Sequence, residues 1–231
     1  GGGLAGSSTA LHLSQKGYSV CILEKKENIE MVPCAGGMAS SVKSYLPLDI
    51  SEAIETEVEN VHFTWKFDDK VIANLEGKTP FLIIKREKLD GILLNEAIKY
   101  GTKLIRPINI KEIENKNDNW VITSKENFIF ISKFLVMADG SESYWTSHLQ
   151  LGPPKPKYAE TIAIRINGHG NISKNSVRFD FGSVKYGFAW AFPLRESVNI
   201  GLGTFIGNAK LNNISLNKQI INEFGFNNFT Y

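Results

Sequence analysis

The chain has 231 residues, a formal net charge of +2, 42% hydrophobic residues and two cysteines. This charge balance, with no long basic run, argues against a nucleic-acid binder, and two cysteines are too few for a disulfide framework. No apolar run reaches membrane-spanning length and no secretory signal is visible, so a reducing, cytoplasmic setting is expected, compatible with peripheral attachment to a membrane.

The sequence opens Gly1-Gly2-Gly3-Leu4-Ala5-Gly6, a Gly-x-Gly-x-x-Gly. In a dinucleotide-binding turn the first glycine permits the strand-to-helix bend. The second lets backbone approach a pyrophosphate, and the third lets the helix pack on the sheet. Ala5 to Gln15 predicts that helix, with small residues on the turn facing a ligand and Gly17 as its terminator. Leu4, Ala5 and Ser7 lie where N–H groups and the helix dipole meet phosphates. Tyr18 to Leu23 predicts a buried strand with Cys21 as core filler. Glu24 ends it, placed to accept from ribose hydroxyls, with Lys25 beside it. Such a turn follows a β-strand, and none precedes Gly1, so the chain is expected to be incomplete at its start.

Val32-Pro33-Cys34-Ala35-Gly36-Gly37-Met38 follows in a long connection to about Leu48. Val58 to Phe67 alternates apolar and polar residues, Asp68-Asp69-Lys70 is the expected turn, and Val71 to Leu75 returns as a hairpin. Phe81 to Ile84 predicts a strand. Arg86 to Tyr100 predicts a helix with Leu89, Leu93, Ala97 and Tyr100 on one face, closed by Gly101. Leu104–Ile113, Trp120–Thr123 and Phe128–Ile131 predict a short meander. Phe134 to Met137 is a continuous apolar run expected to be a buried parallel strand, running into Ala138-Asp139-Gly140-Ser141. Gly152 to Pro156 is a break. Strands are then expected near 162–166, 177–181, 188–192 and 198–203, and a helix over Leu216–Phe224.

This order predicts a mixed α/β fold: a Rossmann-like nucleotide-binding domain (1–50 and 81–150) with an inserted and following antiparallel β-rich substrate domain (51–80 and 151–231). No metal site is expected, and the oligomeric state is not legible.

Four segments together resemble the geranylgeranyl reductase family of flavoproteins, within the group built like p-hydroxybenzoate hydroxylase. Besides the glycine turn, Pro33-Cys34-Ala35-Gly36-Gly37 is similar to the element that family places beside the flavin ring. Met137-Ala138-Asp139-Gly140-Ser141-Glu142-Ser143 resembles the Gly-Ala-Asp-Gly-x-x-Ser of flavin hydroxylases, with Met137 for glycine and Trp145 where arginine often follows. Phe188-Ala189-Trp190-Ala191-Phe192-Pro193, then Gly201-Leu202-Gly203, is similar to the family's Tyr-x-Trp-x-Phe-Pro and Gly-x-Gly signature, with Phe188 for tyrosine. Arg86 matches an arginine that opens a helix and contacts the cofactor.

The resemblance implies FAD, held by Gly1, Gly3, Gly6, Glu24, Gly36, Gly37, Arg86 and Asp139, with NADPH or reduced ferredoxin as electron donor. It implies reduction of carbon–carbon double bonds in a prenylated small molecule or lipid. Cys34 is the candidate catalytic residue, near the proton step. Phe188, Trp190 and Phe192 share one strand face, which with Gly201 and Gly203 would line an apolar substrate pocket. Alternatives of the same architecture are an FAD-dependent monooxygenase, hydroxylase or halogenase, and a non-redox flavoprotein of the lycopene cyclase kind. The family's later Gly-Asp element would lie beyond Tyr231, so weak FAD retention by this chain is a further expectation.

Overall fold

A computed structural model describes residues 1–28, 34–75, 81–153, 157–205, 211 and 214–226. In chain order the elements are α1 (Leu4–Gln15), β1 (Cys21–Leu23), β2 (Gly37–Ala39), two short 3-10 helices (Ser40–Tyr45 and Ser51–Ala53), β3 (Ile54–Val58), β4 (Asn60–Trp65), β5 (Asp68–Asn74) and β6 (Phe81–Ile84). Then come α2 (Arg86–Lys99), β7 (Lys103–Ile105), β8 (Ile110–Lys116), β9 (Asn119–Ser124), β10 (Ile129–Ser132) and α3 (Tyr144–His148). The last are β11 (Glu160–Asn167), β12 (Ser176–Phe181), β13 (Gly187–Pro193), β14 (Ser197–Thr204) and α4 (Ile214–Glu223). They form two units, Gly1–Met31 with Glu87–Pro156 and Val32–Arg86 with Lys157–Tyr231. Residues 34–50 and 81–86 thus fall in the second unit, where β2, β6 and β3 share one sheet.

In the first unit α1 turns Ser7, Ala10, Leu11 and Ser14 inward, at the spacing of one helical face. Buried small side chains bring this helix close to its neighbours, and the Ser14 and Thr102 hydroxyls share a 2.6 Å hydrogen bond. Gly17, at φ +82°, ends the helix as its sequence predicts. β1 pairs in parallel with β7, and Ile22 is buried while Cys21 points outward. Cys21 is therefore not core filler: pleat alternation gives the inward position to Ile22. α2 buries Leu89, Leu93, Leu94 and Ala97. Tyr100 lies past its end and is exposed. β8, β9 and β10 form the expected antiparallel meander.

One expectation fails here. Phe134–Met137 is not a strand, and Phe134 is 87% and Val136 54% exposed. No described strand pairs with it. An apolar run specifies a preference for burial, but a strand also needs a neighbour for its N–H and C=O groups.

The second unit holds a six-stranded sheet in the order β11-β14-β13-β12-β4-β5, antiparallel except for the parallel β12–β4 pair, and the three-stranded sheet β2-β6-β3. β13 shows why the large sheet buries both faces. Ala189 and Ala191 point to one side, where Ile220, Ile221 and Phe224 pack with Ile200 and Leu202. Trp190 and Phe192 point to the other and pack with Val58 and Ile83.

The β4–β5 hairpin turns at Lys66 and Phe67, both with positive φ, rather than at Asp68–Lys70. Tertiary contacts move the turn. Lys66 N–H donates to the Phe181 carbonyl at 2.7 Å, and Phe67 N–H donates to the Asp180 carboxylate at 2.5 Å. Asp180 is fully buried and also accepts from Thr64 Oγ1 at 2.7 Å and from Ser183 Oγ. Three donors offset the cost of burying this acid.

Candidate functional site

In the first unit the glycine turn shows two kinds of glycine. A Cβ on Gly1 would stand 2.2 Å from the Ala138 oxygen, and one on Gly6 would stand 1.9 Å from the Gly1 oxygen. Those two positions exclude any side chain because backbone packs on backbone. A Cβ on Gly3 would meet nothing within 4 Å, so Gly3 faces open space. No side chain caps α1, which leaves its first-turn N–H groups to an outside acceptor. Leu4 is half-buried and Ala5 exposed in that turn. Ser7 is buried and its hydroxyl donates to the Gly2 carbonyl at 2.7 Å, so its side chain braces the turn.

Glu24 reaches the same turn. Its Oε2 accepts from Gly2 N–H, and its Oε1 accepts from Lys26 N–H at 2.9 Å. Burial pushes its carboxyl upward, but the Gly2 and Lys26 N–H groups outweigh that and hold it below the ordinary value. It is thus an ionised, half-buried acceptor with lone pairs to spare. Lys25 is exposed beside it.

Asp139 lies in the turn that backs onto Gly1. It accepts from Ser143 Oγ at 2.6 Å, while Ser143 caps α3 by accepting from Thr146 N–H at 2.9 Å. Gly140, at φ +93°, makes that bend. The first unit therefore gathers Gly1, Gly3, Gly6, Glu24 and Asp139 around one turn. Open backbone at Gly3, uncapped helix N–H groups and two carboxylates suit the phosphates and ribose of a dinucleotide.

The second unit gathers a different set. Pro33 lies outside the described residues. Gly36, at φ +86°, packs so closely that a Cβ would stand 2.3 Å from the Ile84 oxygen. Its carbonyl accepts from Ile84 N–H at 2.8 Å. A Cβ on Gly37 would stand 2.6 Å from the Phe81 ring and 3.2 Å from that of Phe192. The half-buried Cys34 carries the thiol of this loop, and Sγ accepts from Gly36 N–H at 3.4 Å. Arg86, half-buried, opens α2 after β6.

Phe188, Trp190 and Phe192 share one face, as alternation requires. They join a run of rings: Phe81–Phe192 at 6.1 Å, Phe192–Phe179 at 5.2 Å, Phe179–Phe188 at 5.6 Å and Phe188–Phe205 at 5.3 Å. The run goes from the Gly37 loop to the half-exposed Phe205. Gly201 sits opposite Trp190, and a Cβ there would stand 2.1 Å from the indole. Gly201 and Gly203 together form a seat for that ring. Sequence reading missed Asn199, a buried amide that bonds both Trp190 and the Cys34 carbonyl. Its signal was a lone amide between Val198 and the Ile200-Gly201-Leu202-Gly203 run of the strand.

A family model described as an NAD(P)-binding Rossmann-like domain matches residues 1–44. The chain is 24% identical to the digeranylgeranylglycerophospholipid reductase of Methanococcus vannielii, over 91% of its own length and 55% of that protein's. It is similar in structure to a geranylgeranyl bacteriochlorophyll reductase-like protein of Thermoplasma acidophilum, with TM-score 0.83 and 21% identity, covering 99% of this chain and 62% of that one. It is also similar to the halogenase PltM in complex with phloroglucinol and FAD, with TM-score 0.75 and 16% identity, covering 97% and 56%. These likenesses establish a mixed α/β fold with a Rossmann-like part and antiparallel sheets. The chain spans about half the length of the curated relatives it matches.

Proposed function

We propose that this chain, which belongs to the geranylgeranyl reductase family of FAD-dependent flavoproteins, is part of an enzyme that reduces carbon–carbon double bonds of a polyprenyl group. One observation carries the reading: the Cys34–Gly37 loop is fastened to the aromatic face by the Asn199 bond to Cys34 and by Gly37 against Phe81 and Phe192. A thiol-bearing loop fastened to a run of aromatic rings suits proton delivery to an alkene in a long hydrocarbon chain.

FAD, when bound, supplies the hydride, with its electrons restored by NADPH or reduced ferredoxin. The Gly3 backbone and the α1 N–H groups would hold its phosphates. Glu24 and Asp139 would accept from its hydroxyls, and Arg86 would add a cation. Phe188, Trp190 and Phe192 would orient the prenyl chain and keep water from it. Cys34 would place the proton on the second alkene carbon. A lipid substrate fits a cytoplasmic enzyme working at a membrane surface. Among the described residues no helix is long and apolar enough to cross a membrane.

The test is an anaerobic assay of the reduced, full-length flavoprotein against prenyl alcohols, diphosphates and lipids, read by mass. A gain of one dihydrogen per bond reduced is expected, with Cys34→Ala slowing turnover about 100-fold, the low end for a lost general acid. Substrate-coupled oxygen uptake without hydrogenation would instead favour a monooxygenase.

A further inference from the structure

We infer that Asn199 is a positioning residue, and that with Trp190 it forms a relay holding the Cys34 end of the glycine loop on the aromatic face. Asn199 is 6% exposed. Its Oδ1 accepts from Trp190 Nε1–H at 3.0 Å, and its Nδ2–H donates to the Cys34 carbonyl at 3.2 Å. Chemistry fixes this orientation. An indole nitrogen only donates and a carbonyl only accepts, so the amide has one way round. Leu, Ser or an ionised Asp at this position cannot serve both partners in the same way.

The rest of the loop is held by other means. Gly36 is tied to Ile84, and Gly37 is wedged against Phe81 and Phe192. Among the described residues, Asn199 is the tie to the Cys34 backbone that comes from outside the loop. Trp190 in turn rests on Gly201, so the indole that anchors the amide has a fixed seat. The place of the thiol-bearing loop on the aromatic face therefore depends on Trp190 through Asn199. This dependence is geometric, while its catalytic meaning rests on the proposed role of Cys34.

The test follows alkylation of Cys34 by iodoacetamide across pH in the full-length protein. Peptide mass separates Cys34 from the exposed Cys21. Loss of one hydrogen bond is worth a factor of about five, so Asn199→Leu and Asn199→Asp should each speed Cys34 alkylation about five-fold and Trp190→Phe about two-fold. The double variant N199L/W190F should be no faster than N199L, because both act through one relay. In N199D the acceleration should appear only as pH rises through the pKa of the introduced carboxyl. Its protonated form can donate to the Cys34 carbonyl and its ionised form cannot. A wild-type rate in both Asn199 variants at cooperative melting, or a double variant equal to the product of the singles, would overturn the relay. Should the Asn199 variants not fold, a wild-type rate in W190F overturns it alone. In the full-length flavoprotein, N199D should lower kcat with KM little changed. If the wild type reduces no prenyl substrate while the alkylation pattern holds, the proposed reaction fails and the relay stands.

Discussion

The two glycine segments use the same residue for opposite ends. In Gly1–Gly6, Gly1 and Gly6 are closed by backbone packing while Gly3 is left open. In the Cys34–Gly37 loop both glycines are closed, Gly36 by the Ile84 oxygen and Gly37 by aromatic rings. The first segment keeps bare backbone available for something outside the chain. The second uses bare backbone to press a thiol-bearing loop onto a hydrophobic sheet. Spacing alone does not reveal this difference, which lies in what each absent Cβ would have met.

The largest effect should come from Gly36→Val. Positive φ and a carbonyl 2.3 Å from the would-be Cβ combine strain with a clash against rigid backbone. A loss of about 3 kcal/mol or more is expected in urea melts. Next is Gly201→Val, which drives a methyl group into the Trp190 indole. Overpacking of this kind costs about 1–3 kcal/mol, with altered tryptophan emission as the companion signal.

Gly3→Ala tests the other side of the contrast. Open space there predicts a melting free energy within about 0.5 kcal/mol of wild type. A pyrophosphate needing close approach predicts FAD affinity weakened about tenfold in the full-length protein, read by flavin fluorescence titration. Unchanged affinity would put Gly3 outside the cofactor site.

The smallest effect belongs to Glu24→Gln. The native carboxyl titrates below its unfolded value, so its stabilisation is present above the unfolded pKa of about 4.3 and is lost as pH falls through the lower native one. Because Glu24 is only half-buried, less than about 1 kcal/mol is expected. Chemical melts should show wild type and E24Q converging once pH falls below the native pKa, where the carboxyl is as neutral as the amide. A constant gap across pH would remove the charge from the explanation.

Much of this was legible in the residues. Alternation placed Phe188, Trp190 and Phe192 on one face, and the positive-φ glycines at 17 and 101 fell where the helix pattern stopped. Local rules govern such features. What escaped depended on distant partners. Phe134–Met137 reads as a strand but has no described neighbour to pair with. The hairpin turn moved because Asp180 captured Phe67. Asn199 was hidden because its two partners, Trp190 and Cys34, lie 9 and 165 positions away. Gly201 was read as a substrate residue, but its backbone shows a prior duty as the seat of Trp190.

The buried Asp180 also sets an order of events during synthesis. β4 obtains its parallel partner from β12, and the hairpin turn is tied to Asp180 across 113 positions. When the ribosome has delivered Asn60–Trp65, neither the pairing strand nor the carboxylate exists. The nascent β4–β5 hairpin must keep the other edge of Asn60–Trp65 open until Ser176–Phe181 emerges. Contacts of such separation close slowly and leave sticky intermediates exposed. The second unit should therefore be the part of this protein that most needs chaperone shelter while it is being made.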